Sequence, residues 1–178
     1  DGISFCLAPA VMFYLVLSDL YPERSTVLAA VATAYCLAGI ARLIYFTLDK
    51  APIPGFFKGM PVPAAALLVM APVEMTFQFL RGEAGWDAAL LGLAVGTMLL
   101  AMVLMNLYPV HYLHVGRLMS RRPGFLWFTV VVWLVLVFTP YFGLALLAAC
   151  LVYGVSPVFT GRIDPRHAAM ESPAGRAP

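Results

Sequence analysis

Few side chains in this sequence could do chemistry, and most of those are basic. Arg42 stands inside the apolar run Gly39-Ile40-Ala41-Arg42-Leu43-Ile44-Tyr45, and putting a charged side chain into hydrocarbon costs about 2.5–3.5 kcal/mol on insertion scales. One reading makes it an anchor whose long stem carries the charge out to the headgroups. The other aims its planar fork at a phosphate or a carboxylate, and the residues alone leave both open. Lys58 lies in the stretch Asp49–Pro63, where four prolines and two glycines forbid a continuous helix and Phe56 and Phe57 suit a membrane interface. This stretch is either a rigid interfacial loop or the rim of a headgroup-level pocket that Lys58 shares with Arg42. Glu74, midway along another apolar run, reads as a polar contact between helices. His111 and His114 share a face only if their segment is helical. Beside Tyr108, Tyr112, Arg117, Arg121 and Arg122 they read as an interfacial belt rather than a metal site, having no carboxylate or cysteine nearby. Cys6, Cys36 and Cys150 are odd in number, far apart and within apolar runs, so they read as small core residues. No Walker, HExxH, GxSxG or CxxC motif is present.

The elements that must position these residues follow from composition. Of 178 residues, 62% are hydrophobic and 11% charged, against roughly 45–50% and 25% in soluble domains. With a mean hydropathy of +0.90, no solvated surface could cover the apolar interior, so the solvent must be lipid. Disorder and a disulfide-stapled secreted fold are excluded by the same numbers. The expected fold is all-α, a polytopic transmembrane bundle of about five to six spans. Spans are expected over about Ile3–Leu20, Thr26–Leu48, Pro61–Leu80 and Ala88–Tyr108. The apolar stretch Phe125–Phe159 is too long for one span, and Thr139-Pro140 splits it into two short helices, about Gly124–Thr139 and Pro140–Val158. Gly92 and Gly96 make a small-residue face suited to packing or dimerisation. Residues 1–159 form the expected transmembrane domain, and 160–178 read as a polar, Pro-rich, disordered cytoplasmic tail. The chain opens at Asp1 directly into an apolar run, which suggests that residues of a longer protein precede it.

Orientation follows from the basic residues. Lys50, Lys58, Arg117, Arg121, Arg122, Arg162, Arg166 and Arg176 collect on one side and only Arg24 and Arg81 on the other. Eight against two puts the second and fourth loops, the tail and Asp1 on the cytoplasmic face. A net charge of +2 is too small to suggest a nucleic-acid partner.

In this order, several patches resemble the CDP-alcohol phosphotransferase family in its phosphatidylserine synthase branch. Asp1-Gly2-Ile3-Ser4-Phe5-Cys6-Leu7-Ala8-Pro9-Ala10 is similar to the end of the family signature, whose closing aspartate leads through Ser-Phe-Gly-x-Ala-Pro into the next helix. Cys36–Thr47, with Arg42-Leu43 at its centre, resembles the branch's Arg-Leu-Ala-Arg-Phe-Asn segment. Phe57-Lys58-Gly59-Met60-Pro61-Val62-Pro63-Ala64-Ala65-Ala66 resembles its Phe-x-Gly-Leu-Pro-x-Pro-Ala-Ala-Ala, the most specific of the matches. Met105-Asn106-Leu107-Tyr108-Pro109 and Tyr153-Gly154-Val155-Ser156-Pro157-Val158 resemble the late helices. Two departures stand beside these. The upstream Asp-Gly-x-x-Ala-Arg of the signature is absent, and where the branch carries a second arginine and an asparagine this chain has Tyr45 and Thr47.

The resemblance implies transfer of a phosphatidyl group from CDP-diacylglycerol to an alcohol, best matched by L-serine, with release of CMP. Choline, glycerol 3-phosphate or an inositol phosphate are the alternative acceptors that the Tyr45 and Thr47 departures leave open. It implies a divalent cofactor, magnesium or manganese, with Asp1 as one ligand and as the base for the acceptor hydroxyl. The remaining metal ligands are expected ahead of Asp1, so the fragment alone is expected to be inactive. Arg42 and Lys58 are the expected substrate-binding cations. A homodimer in a bacterial or archaeal inner membrane, with the site facing the cytoplasm, completes the expectation. The competing reading is a non-enzymatic transport or assembly subunit whose basic loops bind anionic lipid.

Overall fold

The computed structural model describes residues 1–48, 56–79, 87–113 and 123–160. Of the described residues 86% are helical. A π-helical turn, Gly2–Leu7, runs into α1 (Ala8–Leu20), and a short 3-10 turn at Pro22–Arg24 leads into α2 (Ser25–Leu48). Then come β1 (Phe56–Lys58), α3 (Val62–Phe79), α4 (Asp87–Asn106), β2 (His111–Leu113), α5 (Pro123–Val137) and α6 (Phe142–Thr160).

Three helical stretches are long and apolar enough to cross a bilayer, Gly2–Leu20, Pro22–Leu48 and Ala88–Asn106, and three shorter apolar helices accompany them. Each begins and ends close to the charge and Pro/Gly punctuation that bounds it. The stretch around Thr139-Pro140 breaks as Pro140 requires, with α5 ending at Val137 and α6 starting at Phe142.

The centre of the molecule is α3, which packs against α1, α4 and α6. Its Ala65, Leu68, Val69, Ala71 and Val73 are fully buried. Gly143 lets α6 come close, since a Cβ there would stand 3.0 Å from the Met75 nitrogen and 3.1 Å from the Ala71 oxygen. Polar groups inside the helices are satisfied locally: Thr76 Oγ1 donates to the Pro72 carbonyl and Thr97 Oγ1 to that of Ala94. Glu74 is half-buried on α3. A Cβ on Gly92 or Gly96 would meet nothing within 4 Å, so this small-residue face packs against no described part of the chain.

His111 lies in a strand, so the helical spacing that would pair it with His114 does not apply. His114, Lys50, Arg81, Arg117, Arg121, Arg122 and the tail beyond Thr160 lie outside the described residues. β1 and β2 pair antiparallel, with Phe56 opposite Leu113, Phe57 opposite Tyr112 and Lys58 opposite His111. This two-stranded strap joins the loop after α2 to the loop after α4, and both belong to the end of the bundle that carries Asp1.

Candidate functional site

Four elements meet at that end, and the residues of α2 organise them. Tyr35, Gly39 and Arg42 follow one another at helical spacing and are all buried. Arg42 is 3% exposed, which does not suit an anchor with its charge at the headgroups. One of its terminal amino groups, Nη2, donates to the Lys58 carbonyl at 2.6 Å. Its guanidinium carbon lies 6.0, 5.8 and 5.9 Å from the ring centres of Tyr45, Phe46 and Tyr108, inside the range where an aromatic face attracts a cation. Tyr45 and Tyr108 stack with centroids 3.9 Å apart. The Tyr108 hydroxyl donates to Asn106 Oδ1 at 2.9 Å, and Asn106 Nδ2 donates to the Met102 carbonyl at 2.9 Å, which fixes the ring to the end of α4.

The loop beside Arg42 is held from both directions. Gly59 N–H donates to the Val110 carbonyl and Met60 N–H to that of Leu104. Gly59 has φ +78°, and a Cβ there would stand 2.6 Å from the Met105 oxygen. Only glycine takes this backbone without strain, and only glycine allows this approach. Pro61 then opens α3, its carbonyl accepting from Ala64 and Ala65 N–H. From the strap, Tyr112 O–H reaches the Gly154 carbonyl of α6 at 3.2 Å. Burial holds that phenol above its ordinary pKa, so it remains a neutral donor at physiological pH.

Asp1 enters from the N-terminal turn. It and Arg42 line one cleft of about 220 Å³, with Leu43, Phe46, Phe57, Pro61, Val62 and Pro63 as its walls. The structure thus brings two of the three expected site residues to a single cavity. Lys58 is joined to it through its main-chain carbonyl and is not one of the lining residues. A carboxylate and a guanidinium sharing a small, mostly apolar cleft can act on a ligand with an anionic group and an exchangeable proton. A larger groove, about 610 Å³, lies between the far ends of α1 and α3, but among the described residues its lining, Met12, Leu15, Val16, Asp19, Leu20, Thr76 and Phe77, has no cation.

The aromatic surroundings of Arg42 and the bond that the Tyr35 hydroxyl donates to the Phe5 carbonyl at 2.9 Å escape a reading by residue type. Their signal is spacing: Tyr35, Gly39 and Arg42 share a helix face, and Pro9, four residues after Phe5, has no N–H to give the Phe5 carbonyl. A divalent cation takes about six oxygen ligands. Among the described residues Asp1 is the one carboxylate lining the cleft, and no group of three His, Cys, Asp or Glu side chains could hold a metal. The described residues therefore do not by themselves fit magnesium or manganese. Comparison with family models, with curated proteins and with solved structures gives no match.

Proposed function

We propose that the chain works in phospholipid synthesis as a CDP-alcohol phosphotransferase, passing the phosphatidyl group of CDP-diacylglycerol to L-serine and releasing CMP. The observation that carries this reading is the shared cleft of Asp1 and Arg42, walled by the Pro61-Val62-Pro63 segment whose sequence most specifically resembles the family. In the reaction the acceptor oxygen attacks the β-phosphorus and a new ester bond forms. The bond from that phosphorus to the bridging oxygen breaks, and CMP leaves with the oxygen. Asp1 receives the hydroxyl proton, and Arg42 offsets negative charge on the phosphoryl oxygens or holds the acceptor carboxylate. Apolar walls keep water from competing for the phosphoryl group. Facing the cytoplasm, the cleft would admit the nucleotide while the acyl chains stay in the bilayer.

Two experiments test the reading. The first is the coding sequence ahead of Asp1: Asp-Gly-x-x-Ala-Arg and two further aspartates there support the enzyme, and another sequence sinks it. The second measures CMP release from CDP-diacylglycerol, with and without magnesium or manganese, by the protein together with any residues encoded upstream. Serine, choline, glycerol 3-phosphate and inositol phosphate are compared. Turnover with another alcohol and none with serine overturns the choice of acceptor. A non-enzymatic lipid-binding subunit releases no CMP with any of them.

A further inference from the structure

We infer that Tyr35 is a positioning residue for Asp1, acting through the Phe5 carbonyl; this rests on the reading of Asp1 as the base. The cause lies in Pro9. In an α-helix the carbonyl of residue 5 accepts from the N–H of residue 9, and proline has none. Within lipid, a backbone carbonyl deprived of its helical donor must find another. Here the first turn widens to π geometry, the Ala8 N–H reaching back to the Ile3 carbonyl. The Tyr35 hydroxyl crosses from α2 and donates to the Phe5 carbonyl at 2.9 Å. Tyr35 is fully buried, so this hydroxyl has no competing water.

Two more residues of the same α2 face set how the turn lies. A Cβ on Gly39 would stand 2.6 Å from Cys6 Sγ, and a Cβ on Gly2 would stand 3.8 Å from Leu43 Cδ1. Cys6 and Gly2 therefore rest directly on α2, and Tyr35 adds the directional tie that sets their rotation. The chain returns to Asp1 through the Phe5 N–H, which donates to the Asp1 carbonyl at 2.9 Å. Phe5 is thus held at its carbonyl by Tyr35 and holds Asp1 with its amide. Since α2 also carries Arg42, one rigid helix sets both charged sides of the cleft.

The test is Tyr35→Phe, which keeps the ring and removes the hydroxyl, in the protein together with any residues encoded upstream, reconstituted in lipid nanodiscs. Amide hydrogen exchange over Gly2–Leu7 is expected to quicken about tenfold, the scale of one hydrogen bond, with Phe13–Leu20 unchanged. CMP release is expected to lose about tenfold in kcat, with KM for donor and acceptor unchanged. Unaltered exchange over Gly2–Leu7 overturns the tie. Faster exchange with unaltered kcat overturns the positioning role and leaves Tyr35 a purely structural residue. If the unsubstituted protein releases no CMP, the transferase reading falls and with it the positioning of a base, while the exchange result still decides the tie itself.

Discussion

Arg42 is where the energetic argument is sharpest. A guanidinium has five donors and no acceptor capacity, and this one has given up water for a main-chain carbonyl and three ring faces. Such an environment holds the plane of the fork in one orientation, which suits recognition of a planar or tetrahedral anion. Replacing it by Ala is expected to lower CMP release at least about a hundredfold while the chain still inserts, because a charge-assisted contact to the reacting group is worth several kcal/mol. Arg42→Lys is expected to recover little, since an ammonium cannot lie flat among Tyr45, Phe46 and Tyr108. Turnover that survives both substitutions would mark Arg42 as a brace for the Lys58 carbonyl and nothing more. Tyr108→Ala, which removes the ring stacked on Tyr45, is expected to raise KM, whereas Tyr108→Phe keeps the stack and should stay within about threefold of the parent protein.

Among the elements, the strap and the loop beside it are the most exposed to single changes. Gly59→Ala forces a positive φ on a residue with a side chain and drives a Cβ toward the Met105 carbonyl. It is expected to cost about 1–3 kcal/mol, visible as a lower melting temperature in detergent. Tyr112→Phe, which gives up the bond to the Gly154 carbonyl, is expected to cost about 1 kcal/mol. The helices could be read from the sequence because apolar runs, charges and prolines bound them without ambiguity, as at Thr139-Pro140. The strap could not, since strands of three residues carry no period long enough to detect and their pairing joins segments far apart in the chain. Arg42 was legible as an oddity, but its partner was not: a main-chain carbonyl leaves no trace in residue identity. Nor was the π turn, which needs both the missing donor at Pro9 and the hydroxyl of Tyr35 on another helix.

For the molecule as a whole, the outward face decides the environment. Trp127, Phe128, Leu134 and Phe138 are each at least 60% exposed, on or just beyond α5, which packs chiefly on α6. Aromatic and aliphatic surface of this extent belongs in hydrocarbon. The two ends of the bundle differ, and the difference can be measured. In intact cells Glu23→Cys is expected to react with a membrane-impermeant maleimide, and Lys58→Cys only once the membrane is opened. The reverse pattern would invert the proposed topology. The strap also sets an order of events during synthesis. The chain leaves the ribosome from its N-terminal end, so α1, α2 and α3 are made while Phe56–Lys58 still lacks its neighbour strand. That neighbour emerges only after the whole of α4. A nascent chain stalled before His111 would already hold Asp1, Arg42 and the Pro61-Val62-Pro63 wall of the cleft but not the strand opposite Phe56–Lys58, so the lining of the site is made before the strap that braces it can close.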